Sequence, residues 1–360
     1  MLYNYDHLIA WCTSDTTSVG LVDLRTEQVY SNRHVKKSCN IPLQQLPVRV
    51  FELPPRGNNI ALLYPYNGAL LSQPTIEACK ELVDTLVNRS GYIVDFVCYL
   101  NDDVDTSLGN EEELWCNVAK HGYLEVGQVS SFLWRPCSYL EQYIDRIEQL
   151  LLKENDTKDI STTYSALDLG CGSGRDALFL CKRDFDWNTV AVDHDPILLS
   201  KIQSALVRYG IESTSLRCEN IDLEPVYVDP AKQDMDFTNR LSNDGQYSLV
   251  ELELLISLQE RLRSLSPSKH GFHFINVARY LYRPLLPIID ELVLPGGFLL
   301  FHTFMLPSKG KPKRPRYLLN YNELKLRFSR NFDIVEYQET VLEDSRPIQI
   351  LLAMKKKNNK

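Results

Sequence analysis

LDLGCGSGRDALFL, residues 167–180, runs from an apolar strand through a glycine-rich turn into a helix. Gly170, Gly172 and Gly174 are spaced G-x-G-x-G. Glycine is needed here because the chain turns sharply and a ligand must approach bare backbone without meeting a Cβ. The following helix turns its first N–H groups toward whatever lies in the turn. Asp168 stands two positions before the first glycine. A second strand, NTVAVD (188–193), ends in Asp193, 19 residues after Gly174. A carboxylate at that strand end is placed to accept hydrogen bonds from two ribose hydroxyls.

The spacing separates two nucleotide-binding patterns. The dinucleotide fingerprint G-x-G-x-x-G serves a pyrophosphate. Here the third glycine comes one residue earlier and an acidic residue precedes the loop. A carboxylate repels a pyrophosphate and suits an ammonium, so an NAD-type oxidoreductase is disfavoured against a ligand with a methionine moiety.

Outward from this motif the pattern is strand alternating with helix, which predicts a parallel sheet. The strands are SALDLG (165–170), NTVAVD, TSLRCENI (214–221), a run within GFHFINVARYLY (271–282), and GGFLLFHTF (296–304). FDIVEYQE (332–339) and PIQILLAMK (347–355) close the set as an antiparallel pair. RDALFLCKR (175–183) and PILLSKIQSALVRYG (196–210) are helices, the second with Pro196 in its first turn and Gly210 at its end. The stretch 225–270 reads as an insertion, a polar loop carrying one helix of its own.

Residues 165–355 resemble the class I S-adenosylmethionine-dependent methyltransferases. The resemblance implies a Rossmann-like, seven-stranded sheet with a reversed last strand and S-adenosyl-L-methionine as cofactor. It places Asp168, Gly170, Gly172 and Gly174 around the methionine end and Asp193 at the ribose. It assigns Asp222, in NIDLE, to the adenine amino group, with Glu219 and Asn220 as competing residues for that role. NVARYLYRPLLP (276–287) lacks the Asn-Pro-Pro-Tyr type of motif found in many amine-methylating relatives. With GKPKRPRYLL (310–319) and LWRP (133–136), it resembles the tellurite-resistance-methyltransferase-like group over most of residues 130–355.

Methyl transfer asks little of side chains beyond holding the nucleophile in line and, where it carries a proton, supplying a base. Tyr280, Tyr282 and Arg283 follow the fourth strand, where an acceptor arrives, and are the candidate catalytic residues. Core packing for the tyrosines and a structural salt bridge for the arginine are the competing readings. His302 and Thr303, ending the fifth strand, are weaker candidates. Lys309, Lys311, Lys313, Arg314 and Arg316 put five cations into eight residues. That run is either a solvated loop or a clamp for an anionic substrate.

The first 105 residues read as a smaller α/β domain. VGLVDLR (19–25), NNIALLYPY (58–66) and GYIVDFVCYL (91–100) are its strands, and TIEACKELVDTLVNR (75–89) its helix. VDLR (22–25) followed by RHVKKSCNIPLQQLP (33–47) resembles a rhodanese-like domain over about residues 15–105. Sulfur transfer in that family needs a cysteine after the next strand. Tyr64, Pro65 and Tyr66 stand there, and Cys79 comes too late. The resemblance therefore implies a catalytically inactive module suited to docking a partner protein. Residues 106–137 read as a linker. SYLEQYIDRIEQLLLKE (138–154) is a helix opening the methyltransferase domain, 138–360.

Composition bounds the rest. The chain has 360 residues, 44% hydrophobic and 24% charged, enough for two cores. A net charge of −8 argues against gripping nucleic acid over a large surface. Nine cysteines show no C-x-x-C pair, so neither a zinc site nor a disulfide framework has support. No leader-like start and no apolar run of about 18–20 residues is present. A soluble intracellular protein of the cytoplasm or nucleus, without metal or membrane, is expected, with KKKNNK as a solvated tail. The leading functional reading is methyl transfer to a small-molecule acceptor. An RNA or protein acceptor held by the Lys309–Arg316 loop is the alternative substrate. A non-catalytic cofactor-binding scaffold is the alternative class.

Overall fold

A computed structural model of the protein describes residues 4–14, 18–67, 71–102, 109–154, 163–226 and 248–357. The chain divides into two compact units, Met1–Arg135 with Val207–Gly210, and Pro136–Leu206 with Ile211–Lys360.

The first unit is built on a four-stranded parallel sheet. Its strands are β1 (Gly20–Asp23), β3 (Cys39–Asn40), β4 (Asn59–Tyr66) and β5 (Ile93–Asn101), in the order β3-β1-β4-β5. Helices α1 (Tyr5–Thr13), α2 (Glu27–Asn32), α3 (Leu46–Arg49), α4 (Gln73–Asp84) and α5 (Gly109–Lys120) accompany it, with a short pair β2 (His34–Val35) and β6 (Leu124–Glu125). Leu8, Trp11, Leu63, Cys98, Leu114 and Trp115 share one core. The expected linker 106–137 is therefore corrected. Leu114, Trp115 and Val118 of α5 are buried in this core, and β6 pairs antiparallel with β2. Its apolar residues recur at helical spacing but sit behind an acidic start, which makes the segment read as a connection. Asp23 and Asn40, from the two halves of the motif noted above, are register partners across β1 and β3. Arg25, fully buried, pairs with Asp23 at 2.6 Å, and Asn40 Nδ2 donates to the Asp23 and Arg25 carbonyls.

The second unit is a seven-stranded sheet. Its strands are β7 (Tyr164–Leu169), β8 (Trp187–Asp193), β9 (Leu216–Asn220), β10 (Phe272–Ala278), β11 (Val293–Phe304), β12 (Phe332–Val341) and β13 (Pro347–Lys355). The order is β12-β13-β11-β10-β7-β8-β9, parallel except for β13, which runs antiparallel to both of its neighbours. Parallel strands need long crossovers, and these are largely helical. The helices are α6 (Ser138–Glu154), α7 (Arg175–Cys181), α8 (Pro196–Arg208), α9 (Leu249–Ser264), α10 (Leu285–Leu292) and α11 (Glu323–Phe328).

Strand periodicity sorts the side chains into two cores. Leu167, Leu169, Ile275 and Val277 face α9, α10 and α11, while Tyr164, Ala166 and Phe274 face α6. The insertion reading of 225–270 is corrected in its helical half. α9 begins at a capping box formed by Ser248 and Glu251. It buries Leu255, Leu258 and Leu262 in the core, about 2 kcal/mol each. It belongs to the crossover from β9 to β10. The polar part, 227–247, lies outside the described residues, as do 155–162 and the end of the C-terminal tail, 358–360.

Candidate active site at the β7–β10 switch point

The chain leaves β7 toward β8 and β9 on one side, and leaves β10 toward β11 on the other. Such a reversal opens a crevice beyond the carboxyl ends of the two strands. Asp168 and Asn276 face each other across it as register partners. Asn276 Nδ2 donates to Asp168 Oδ1 at 2.9 Å and to Asp176 Oδ2 at 3.0 Å. All three residues are buried. Burial and then the neighbouring Asp176 push the Asp168 carboxyl up to about 8, and burial likewise raises Asp176. Asp168 Oδ2 and Asn276 Oδ1 are buried with no close hydrogen-bond partner among the described residues, while the Ala177 N–H lies near the Asp168 carboxylate and favours its ionised form. A buried carboxylate oxygen lacking a donor is costly and calls for a cation or N–H group to face it.

The glycine loop sits beside this cluster. Gly170, Gly172 and Gly174 have φ of 69°, 56° and 73°, the left-handed region that side chains resist. A Cβ on Gly170 would lie 3.0 Å from the Tyr280 ring, and one on Gly174 would lie 2.5 Å from Ile202. A Cβ on Gly172 would meet nothing within 4 Å. Two of the glycines thus serve packing, and the third presents open backbone. Asp193 Oδ2 accepts the Gly172 N–H at 2.8 Å, and its Oδ1 accepts the Asp195 N–H at 3.0 Å. One carboxylate therefore fixes the loop and keeps lone pairs in reserve.

Among the candidates for a base contact, Asn220 donates to the carbonyls of Asp193 and His194, and Glu219 pairs with Arg217 at 2.5 Å. Asp222 is exposed and uses Oδ1 to accept the Glu224 N–H at 2.9 Å.

The three acceptor-side candidates are placed differently from one another. Tyr280 packs against Gly170, and its buried hydroxyl faces the Glu224 carboxylate. Burial and then the Glu224 charge raise its pKa. The Tyr282 hydroxyl donates to the Val226 carbonyl at 2.9 Å and accepts the Val226 N–H at 3.2 Å. Arg283 is buried and forms a bidentate pair with Glu323, at 2.7 and 2.9 Å. It also donates to the carbonyls of Arg316 and Leu318. For Tyr282 and Arg283 the expected substrate role gives way to a structural one, because polar partners inside the fold already occupy these groups. His302 and Thr303 are each 1% exposed.

Sequence reasoning missed Asp176, Asn276 and a thiol–imidazole contact. Cys137 Sγ lies 3.0 Å from His302 Nε2, and the Cys137 N–H donates to Asp176 Oδ1 at 2.7 Å. Burial raises the thiol to about 11. Burial and then the Arg279 charge lower the imidazole to about 3. Both groups are neutral near pH 7. The signal for Asn276 was present as one amide inside the apolar run FINVA. Cys137 carried none, since it is 165 residues from His302.

The arrangement offers an acidic, glycine-lined crevice with one buried carboxylate at the end of β7 and a second at the end of β8. Among the described residues, no group of three or more His, Cys, Asp or Glu is placed to hold a metal ion. No helix there is long and apolar enough to cross a membrane.

No protein-family model matches the chain. An uncharacterized protein of Schizosaccharomyces pombe, UNK4.09, is 24% identical over 351 residues, covering 93% of each chain. Among solved structures, TehB from Haemophilus influenzae is 16% identical with a TM-score of 0.36, over 61% of this chain and 66% of that one. The N-methyltransferase NodS from Bradyrhizobium japonicum WM9 is 13% identical with a TM-score of 0.35, over 61% and 99%. Magnesium protoporphyrin IX methyltransferase from Synechocystis PCC 6803, solved with bound SAM, is 13% identical with a TM-score of 0.36, over 60% and 79%. At these values the likenesses carry no weight in assigning a function, and the chain's own residues must do so.

Proposed function

We propose that the second unit is an S-adenosyl-L-methionine-dependent methyltransferase acting on a small-molecule acceptor. The observation that carries the reading is the buried Asp168 carboxylate, whose Oδ2 has no close partner, at the strand end that opens the glycine loop. An ammonium fits that oxygen, a ribose fits Asp193, and Asp222 is exposed where an adenine amino group would be received. The sheet order, with β13 reversed, agrees with the topology that the family resemblance implies.

The cofactor, when bound, supplies an already activated methyl group on a sulfonium. The protein's part is binding and alignment. Asp168 holds the methionine end of the ligand and Asp193 its ribose. Asn276 shares one amide between Asp168 and Asp176, keeping the Asp168 carboxylate in place. Tyr280 packs its ring on the Gly170 side of the loop, with its hydroxyl beside Glu224, and is the remaining candidate for contact with the acceptor.

We read the first unit as a rhodanese-like module without sulfur-transfer chemistry. Tyr64, Pro65 and Tyr66 end β4 where a nucleophilic cysteine is required, and Cys39 and Cys98 are buried with raised thiols. Docking of a partner protein is its proposed role. Thiosulfate is expected to give no sulfur transfer.

The test of the main reading is calorimetric titration of the full chain with S-adenosylmethionine and S-adenosylhomocysteine, in wild type and Asp193→Ala. Binding by wild type that weakens strongly in the variant supports the site. A folded wild type that binds neither ligand refutes it.

A further inference from the structure

The segment after β11 carries five positive charges in eight residues, and it is held down at many backbone points. The Leu306 N–H donates to the Leu319 carbonyl, and the Leu319 N–H to the Phe304 carbonyl, both at 2.9 Å. Arg346 Nη1 donates to the Lys311 carbonyl at 2.5 Å. Arg346 is itself fixed by Asp344 at 2.6 Å and stacked 4.2 Å from the Phe304 ring centre. Arg283 holds the far side through the carbonyls of Arg316 and Leu318.

While the backbone is pinned, the cations are not. Lys309, Lys311, Lys313 and Arg314 are exposed, and none makes a side-chain hydrogen bond or ion pair with a described residue. Arg279 joins them from the end of β10. It is exposed, has φ of 58°, and donates its N–H to the His302 carbonyl at 2.8 Å. Non-glycine residues in that backbone region cluster where function requires them. The Arg279 charge acts on Asp176, His302 and Asp344. The result is four unpaired cations on the loop after β11 and a fifth, Arg279, at the carboxyl end of the neighbouring β10, on a chain whose net charge is −8.

Ordering like charges beside one another is unfavourable, and an anion bridging them offsets that repulsion. We propose that the methyl acceptor is a small molecule bearing two or more phosphate or carboxylate groups, held by Arg279 and the Lys309–Arg314 loop. This rests on the methyl-transfer reading of the same site. A small anion fits better than a nucleic acid because the cations are confined to one loop and one strand end. A strand of RNA needs a basic groove along its length.

The experiment uses the full chain saturated with S-adenosylhomocysteine. Citrate and inorganic pyrophosphate are titrated calorimetrically into wild type, Arg279→Gln, and a loop variant with Lys309, Lys311, Lys313 and Arg314 all changed to Ala. Wild type is expected to bind at least one of the two anions, and both variants to bind it about tenfold more weakly. S-adenosylhomocysteine affinity is expected to be equal in all three proteins. Absence of anion binding, or anion binding indifferent to both variants, overturns the inference while leaving methyl transfer standing. Failure of wild type to bind S-adenosylhomocysteine overturns the underlying reading instead. A single-stranded oligoribonucleotide that outcompetes both anions and loses affinity in the loop variant replaces the small acceptor by RNA.

Discussion

Asp193 accepts the backbone N–H of Gly172 at 2.8 Å, across 21 residues of sequence. The residue proposed for the ribose contact thus also shapes the glycine loop. Asp193→Ala removes both functions, so S-adenosylhomocysteine affinity is expected to fall about 10–100-fold, or about 1.4–2.7 kcal/mol. Asp193→Asn keeps an acceptor for Gly172 and is expected to lose less. Calorimetric titration of the two variants orders them, and equal losses would argue against the tie to the loop.

The glycines of the loop separate packing from ligand contact. At Gly174, with φ of 73°, a Cβ would meet Ile202 at 2.5 Å. Gly174→Ala is expected to cost about 2–4 kcal/mol of stability, from backbone strain and overpacking together. At Gly172 a Cβ meets nothing within 4 Å, so Gly172→Ala is expected to cost only the strain, about 1–2 kcal/mol. Its larger effect should be on ligand affinity, since the methyl enters the space where backbone is meant to be bare. Urea unfolding and calorimetry distinguish the two effects, and wild-type affinity in Gly172→Ala would sink the idea.

Titration of Asp168 gives a pH signature. Its carboxyl is raised to about 8 by burial and by Asp176. An ammonium favours the ionised form, so binding below that pKa must expel a proton. Affinity for S-adenosylhomocysteine is expected to rise between about pH 5.5 and 7.5, a range in which the ligand's own amino group is still largely charged. The sign for the ligand-free protein is opposite. A carboxyl raised above its unfolded value makes the native state hold the extra proton, so stability falls as pH climbs from about 4 toward the folded pKa. Asp168→Asn is therefore expected to raise the ligand-free Tm at pH 7.5 and to flatten the affinity profile. A variant that binds with an unchanged pH slope would exclude Asp168 as the titrating group.

Arg283 should behave as a structural residue. Arg283→Ala leaves Glu323, whose side chain is 12% exposed, without its counter-charge. Breaking such a pair costs about 3–5 kcal/mol. Tyr282→Phe removes two hydrogen bonds to Val226 and is expected to cost about 1–2 kcal/mol. Both variants, where folded, are expected to retain S-adenosylhomocysteine affinity. A stable Arg283→Ala protein with impaired methyl transfer would return Arg283 to the acceptor.

Local chemistry alone specified much of this molecule. The glycine spacing, the acidic residues at 168 and 193, and the alternation of apolar strands and helices are properties of short windows. The strand runs of the second unit, and the antiparallel pairing of its last two, could be read from them directly. Segments whose apolar residues sit within acidic or polar surroundings could not. α5 looked like a linker, and α9 looked like part of an insertion, until packing showed which faces are buried.

Tertiary structure decided what no window contains. It alone brought Asn276 between Asp168 and Asp176, set Cys137 against His302, and gave Arg283 to Glu323. Those contacts span 40 to 165 residues. The sequence could mark each group as polar and each strand as buried. Whether a polar group meets a ligand or a neighbour depends on which distant segment shares its crevice, and that is set by sheet order.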